Sequence, residues 1–176
     1  MEKTKLDLVP PTKKHKTQVE SFKQKLTATT GEGFDGCGDL ENLDFNEWLT
    51  QCNDWRAGAN LPNGYVPSSQ FLAIRANDSK LVGMIQIRHN LDSENLKNFY
   101  GHIGYTITPE ERRKGYATQM LKLALPECKK LGVTKVLITC ATTNTASART
   151  IEKNGGILES TVTHNNETLN RYWINL

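Results

Sequence analysis

The sequence predicts an α/β (α+β) fold: a mixed, mostly antiparallel sheet flanked by helices on both faces. Three observations carry that expectation. His102–Ile107 alternates apolar Ile103, Tyr105 and Ile107 with smaller or polar residues, as a strand does, and a helical stripe follows closely. Extended and helical patterns alternate through the middle of the chain and two extended runs close it, the order expected of a sheet layered with helices. The chain has 176 residues, 37% hydrophobic and 23% charged, enough for one core, so 1–176 reads as a single domain.

In order, Lys5–Val9 reads as a strand ended by Pro10-Pro11. Thr12 then caps a helix reaching about Lys25. Thr29–Gly38 is a glycine-rich loop, and Asp44-Phe-Asn-Glu47 has capping-box form, which predicts a second helix to about Cys52. Ser69–Arg75 and Leu81–His89 are strands joined by the turn residues Asn77-Asp78-Ser79. Asn90–Phe99 is polar and reads as a loop or short helical turn.

The strand at 102–107 ends at Pro109. Ala117, Met120, Leu121, Ala124, Leu125, Cys128 and Leu131 then mark one helical stripe closed by Gly132. Pro126 lies inside it, where it removes an N–H and meets the carbonyl of Lys122 at a cost of about 3 kcal/mol, so a kink or break is expected. Lys135–Cys140 is the next strand, Asn144–Asn154 a short helix, and Ile157–Thr163 and Thr168–Asn175 a closing hairpin through His164-Asn165-Asn166.

The chemistry is concentrated where the strand ending at Ile107 passes into the helix. A helix begins with N–H groups that lack intrahelical partners and with a partial positive charge, so anions settle there. Gly115 allows a positive φ or close main-chain approach, and Arg112, Arg113 and Lys114 add charge to the same spot. Alone, that string fits a plain helix start with solvated basic residues better than it fits a phosphate site. Strand, loop and helix in that order favour a pyrophosphate.

Arg112-x-x-Gly115-x-Ala117, preceded by Ile103-Gly104-Tyr105-x-Ile107-x-Pro109, resembles the cofactor signature of the GNAT superfamily of acyl-CoA-dependent N-acyltransferases. Asn144-x-x-Ser147 after the Lys135 strand, with Ile151-Glu152-Lys153 and Gly155 behind it, is similar to a second motif of that superfamily. The resemblance covers roughly residues 70–176 and the first seventy more loosely. It implies transfer of an acetyl group from acetyl-CoA, as co-substrate and without a metal, to a primary amine that attacks the thioester directly. It also implies that Tyr105, Thr106 and Ile107 bind the pantetheine arm through free backbone groups. Arg112, Arg113, Lys114, Gly115, Tyr116, Ala117 and Thr118 would hold the pyrophosphate, with the amides of 113–118 as donors. Asn144 would hydrogen-bond the pantetheine arm, cap its helix, or do both. Ser147 would bind cofactor near the sulfur and donate a hydrogen bond or proton; a helix-surface serine is the alternative.

Such a reaction needs a base for the amine, stabilisation of the oxyanion and a proton for the thiolate. The chain departs from many relatives here. Ile151 stands where a tyrosine often acts as acid, and Gly101, His102 and Thr139 stand where others carry Glu. His102 is the best-placed candidate base, since imidazole titrates near neutrality; a buried structural histidine is the competing reading. By the same resemblance the amine binds opposite the cofactor, with Phe34, Trp48, Trp55, Tyr65, Tyr172 and Trp173 as wall or core residues. A polyamine-like molecule, an amino sugar, an amino acid and a peptide terminus all fit. A non-catalytic CoA-binding or regulatory domain of the same fold is the alternative function.

Net charge +3 is too modest for nucleic acid, and the lysine-rich amino terminus lacks interleaved aromatics. The signs are segregated: Lys3 to Lys25 carries seven lysines, whereas Glu32 to Asp54 carries seven acids and no Lys or Arg. That block forms either an acidic rim for a cationic amine or a solvated face. Cys37, Cys52, Cys128 and Cys140 form no CxxC pair and are expected as reduced thiols, no apolar run is long enough to cross a bilayer, and Met1–Leu6 lacks a signal-peptide pattern, so a cytoplasmic protein without membrane partner is expected. The resemblance also leaves a homodimer open.

Overall fold

The computed structural model describes residues 4–29 and 33–176. Lys3 and Glu32, at the ends of the two charged blocks, lie outside the described residues, as do Met1, Glu2, Thr30 and Gly31. After β1 (Leu6–Val9), the N–H of Thr12 donates to His15 Nδ1 at 3.0 Å, and a 3-10 turn at Lys13–His15 leads into α1 (Lys16–Thr27). The capping box at α2 (Phe45–Ala57) forms as expected. Asp44 Oδ1 accepts from the N–H groups of Asn46 and Glu47 at 2.8 and 2.9 Å, and Glu47 Oε2 accepts from Asp44 N–H at 3.1 Å. The helix runs past Cys52 because Trp55 continues its buried stripe and Gly58, at φ 73°, supplies the left-handed end.

β2 (Ser68–Arg75), β3 (Lys80–Arg88) and β4 (Ile103–Ile107) complete an antiparallel sheet ordered β1-β2-β3-β4. A π-helical turn at Leu96–Tyr100 precedes β4. Then come α3 (Tyr116–Lys130), β5 (Lys135–Ala141), α4 (Thr145–Glu152), β6 (Ile157–His164) and β7 (Glu167–Asn175), with a second antiparallel sheet ordered β5-β7-β6. The sheet is therefore divided in two, with β4 and β5 as facing edge strands.

Helices cover both faces. Met120, Leu121, Ala124 and Cys128 of α3 share a core with Ile85, Ile103, Ile107, Val136 and Ile138. On the other face Val19, Phe22 and Leu26 of α1 and Trp48 and Leu49 of α2 pack with Leu72 and Met84. Each fully buried Leu, Ile, Val, Phe or Met among them contributes about 1.5–3 kcal/mol. α3 does not break at Pro126: it is helical to Lys130, and Pro126 and Lys122 are both exposed, so water reaches the carbonyl the proline leaves free. All four cysteines are free and buried. Among the described residues no helix is long and apolar enough to cross a membrane.

Candidate active site

Main-chain pairing between β4 and β5 among the described residues is confined to the junction at the start of β4. His102 N–H donates to Leu137 O at 2.8 Å, Leu137 N–H donates to His102 Nδ1 at 3.0 Å, and Gly101 bridges Ile138. Beyond this junction no described strand pairs with the outer edge of β4, which leaves main-chain groups of Tyr105 and the N–H of Ile107 facing the open side, with Thr106 turned toward β3 and Ile107 O taken by Arg112 Nε at 3.1 Å.

At the far end of β4 a 3-10 turn, Pro109–Glu111, leads through Arg112–Gly115 into α3. Arg113 and Gly115 both take positive φ, 61° and 82°, so the chain coils into a concavity of amides ahead of the helix. A Cβ at Gly115 would meet nothing within 4 Å: the glycine serves its backbone angle, and the space beyond it is open. Helical bonding resumes with Gln119 N–H to Gly115 O at 3.1 Å, which leaves the amides of Tyr116, Ala117 and Thr118 without helical partners.

Three side chains expected at the anion are instead engaged in holding this loop. Arg112 Nε donates to Ile107 O at 3.1 Å, Lys114 Nζ donates to Glu111 Oε2 at 2.9 Å, and the buried Tyr116 accepts from Arg75 Nη1 at 3.3 Å. Lys114 directly, and Tyr116 through Arg75, are anchored by Glu111, 3% exposed, which takes Arg75 at 2.8 Å and Lys80 at 2.7 Å. Burial alone would raise the Glu111 carboxyl, but hydrogen bonds from Lys80 and Lys114 and the charge of Arg75 hold it at about 2. Sequence reasoning did not single out this brace. An acid three residues before Lys114 was its only local sign, because Arg75 and Lys80 arrive from the β2–β3 hairpin.

Across the gap, Asn144 caps α4, its Oδ1 accepting from Ser147 N–H at 3.0 Å. The Ser147 hydroxyl lies 2.7 Å from the Tyr105 hydroxyl of β4. Burial pushes the Tyr105 phenol up to about 12 against the Ser147 bond, so it stays protonated through the neutral range. Ile151 is fully buried in the core, and Thr139 Oγ1 donates to Phe99 O at 2.6 Å.

His102 lies buried where β4 meets β5. It is 5% exposed, and its Nδ1 lone pair is taken by Leu137 N–H, so the ring proton sits on Nε2 and no lone pair remains for an amine. Burial, with the charge of Arg88, lowers the imidazole to about 4. Of the expected wall aromatics, Trp48 and Tyr172 belong to the core, and Trp48 Nε1 donates to Cys37 O at 2.7 Å. Trp55 stacks obliquely on the exposed Tyr65 at 5.2 Å, and Trp173 Nε1 donates to Glu159 at 2.9 Å. Phe34 is half-buried against the α1–α2 core. Of the acidic block, Asp44 and Glu47 are spent on capping α2 and Asp54 on Asn60, at 2.9 Å. Two open surface hollows, about 560 and 530 Å³, lie along α2 and around Tyr65 and Asn90 and include no residue of β4 or β5. Among the described residues no three His, Cys, Asp or Glu side chains gather as a metal site.

The Acetyltransferase (GNAT) domain model matches residues 5–157, and the chain belongs to that family. It is an acyltransferase by that membership. Solved structures share the fold at low identity. RimL, a ribosomal L7/L12 alpha-N-protein acetyltransferase in complex with coenzyme A, is 16% identical with a TM-score of 0.69, covering 97% of this chain and 94% of its own. RimJ of Mycobacterium smegmatis with CoA-disulfide is 18% identical with a TM-score of 0.67, at 97% and 81% coverage. A spermidine N-acetyltransferase chimera from Vibrio cholerae and hSSAT is 18% identical with a TM-score of 0.64, at 97% and 95% coverage. No curated protein sequence matches the chain.

Proposed function

We propose that this acyltransferase moves an acetyl group from acetyl-CoA to a primary amine of a small molecule or peptide by direct attack on the thioester. The observation that carries the reading is the open edge of β4 running straight into the amide-lined start of α3. The backbone of Tyr105 and the N–H of Ile107 pair with the pantetheine arm as an added strand would. The amides of 113–118 grip the pyrophosphate, Arg113 adds charge from its exposed position, and Arg112, Lys114 and Tyr116 keep the loop in shape. Asn144 fixes the start of α4 and leaves its amide group for the arm. Ser147, backed by Tyr105, donates toward the thioester sulfur and offers the departing thiolate a proton. A cytoplasmic setting is supported by four free thiols.

The test is release of the CoA thiol from acetyl-CoA with spermidine, glucosamine, lysine and a pentapeptide with a free amino terminus. Amine-dependent release supports the reading. Tight acetyl-CoA binding without turnover on any of them points to a cofactor-binding module instead.

A further inference from the structure

β4 and β5 contain no carboxylate, and His102 has no lone pair to offer, so the amine's proton has no acceptor on either strand. The loop between α1 and α2 supplies one. Gln70, Gln86 and Gly104 are in register across β2, β3 and β4, so they form a row on one face of the sheet. Residues 35–38 lie over that row. Gln70 Nε2 donates to Gly36 O at 2.7 Å, and Trp48 Nε1 donates to Cys37 O at 2.7 Å. A Cβ on Gly36 would run into the carbonyl of Gly104, and a Cβ on Gly104 would lie 2.9 Å from Gly36 N. Only glycine on both sides permits this approach.

The seat leaves one buried polar atom without a partner among the described residues. Gln70 is 1% exposed, and its Oε1 has no hydrogen-bond partner. What the seat secures is the position of Asp35, whose main chain packs on Gly104, one residue before Tyr105. The Asp35 side chain is reachable from solvent yet crowded by protein, and the groups that act on it are Arg88 of β3, Glu167 of β7, Tyr105 of β4 and Cys37 of its own loop. Arg88 is held in place by donation to Gly101 O at 3.1 Å.

We propose that Asp35 is the proton acceptor for the incoming amine, delivered to β4 by the α1–α2 loop. This rests on the acetyl-CoA reading above. An ammonium proton passes to the Asp35 carboxylate, and the freed lone pair forms the C–N bond at the thioester carbonyl. As the C–S bond breaks, the second nitrogen-bound proton reaches the thiolate through the Ser147 hydroxyl, giving the amide and CoA thiol. The Asp35 proton then leaves to solvent. Desolvation raises the carboxyl above its ordinary range, against the charge of Arg88, the direction that favours taking up a proton.

The experiment compares the full-length wild type with Asp35→Asn and Asp35→Glu, reading acetyl-CoA affinity by calorimetry and thiol release with the four amines above across pH. Asp35→Asn is expected to bind acetyl-CoA within about twofold of wild type, lose about 100- to 10,000-fold in kcat and lose the rising limb of kcat/KM with pH, while Asp35→Glu regains part of the rate. With hydroxylamine, neutral at working pH, the loss should be smaller. Wild-type kcat retained in Asp35→Asn, or a wild type that binds acetyl-CoA yet acetylates none of the amines, overturns the proposal. A wild type that does not bind acetyl-CoA removes the underlying reading and this proposal with it.

Discussion

The hydroxyls of Tyr105 on β4 and Ser147 on α4 lie 2.7 Å apart and tie β4 to the helix that follows β5. Neighbouring hydroxyls that act as one proton-donating unit lose function together. Tyr105→Phe and Ser147→Ala are each expected to lower kcat about tenfold or more with little change in the KM for acetyl-CoA, and the double variant to be little worse than either. Steady-state kinetics of the four proteins checks this; additive losses would show that the two act separately.

His102 is expected to matter for stability more than for proton transfer. Its imidazole is neutral and lowered from 6.5 to about 4 in the fold, so the unfolded chain binds its proton first as pH drops. The stability it contributes is complete above about 6.5 and is lost as pH falls toward 4. His102→Ala, which leaves Leu137 N–H unpaired, should cost about 1–3 kcal/mol, and His102→Asn, which can place an oxygen near the Nδ1 position, should recover part of it. Urea titrations at pH 7.5 and 5 measure both effects.

The Glu111 brace titrates in a lower window. Because its carboxyl falls from 4.5 to about 2 in the fold, its contribution is present above about 4.5 and disappears as pH falls toward 2. Glu111→Gln should cost about 1–3 kcal/mol at neutral pH, since Arg75, Lys80 and Lys114 lose their shared partner, and should weaken acetyl-CoA binding by loosening the loop before Gly115. Lys80 and Lys114 are partly exposed, so solvent screening keeps the penalty below that of a fully buried pair. Thermal unfolding and calorimetry on the variant test the two parts separately.

Local patterns in the sequence located the described strands and α-helices to within a few residues, apart from the end of α2, which runs on to Ala57. The Asp44 capping box and the alternation at Ile103–Ile107 show why: each is set by neighbours along the chain. The end of α2 depended on Gly58 adopting a left-handed conformation and on Trp55 finding a core, and only the second is a tertiary fact. Pro126 predicts a kink or break, yet α3 continues to Lys130 with Lys122 and Pro126 on its exposed face. In the site, the Arg112–Thr118 segment was legible because a helix start advertises itself in composition. The side-chain assignments were less so. Glu111 draws Lys114 inward through Arg75 and Lys80, distant in sequence, and the Leu137 amide takes the His102 lone pair from another sheet. The seating of Asp35 on Gly104 joins segments about seventy residues apart, with nothing local to announce it.

The measurement that bears most directly on the whole account is calorimetric titration of acetyl-CoA into wild type and Gly115→Val. The variant keeps open space around its new side chain but must hold a β-branched residue at φ 82°, about 1–2 kcal/mol or more of strain that the anion-binding loop relieves by changing shape. The account predicts clear association for wild type and a loss of about tenfold or more in the variant, with the circular dichroism of the fold retained. Absence of binding heat for wild type, or equal affinity in the two proteins, would contradict it.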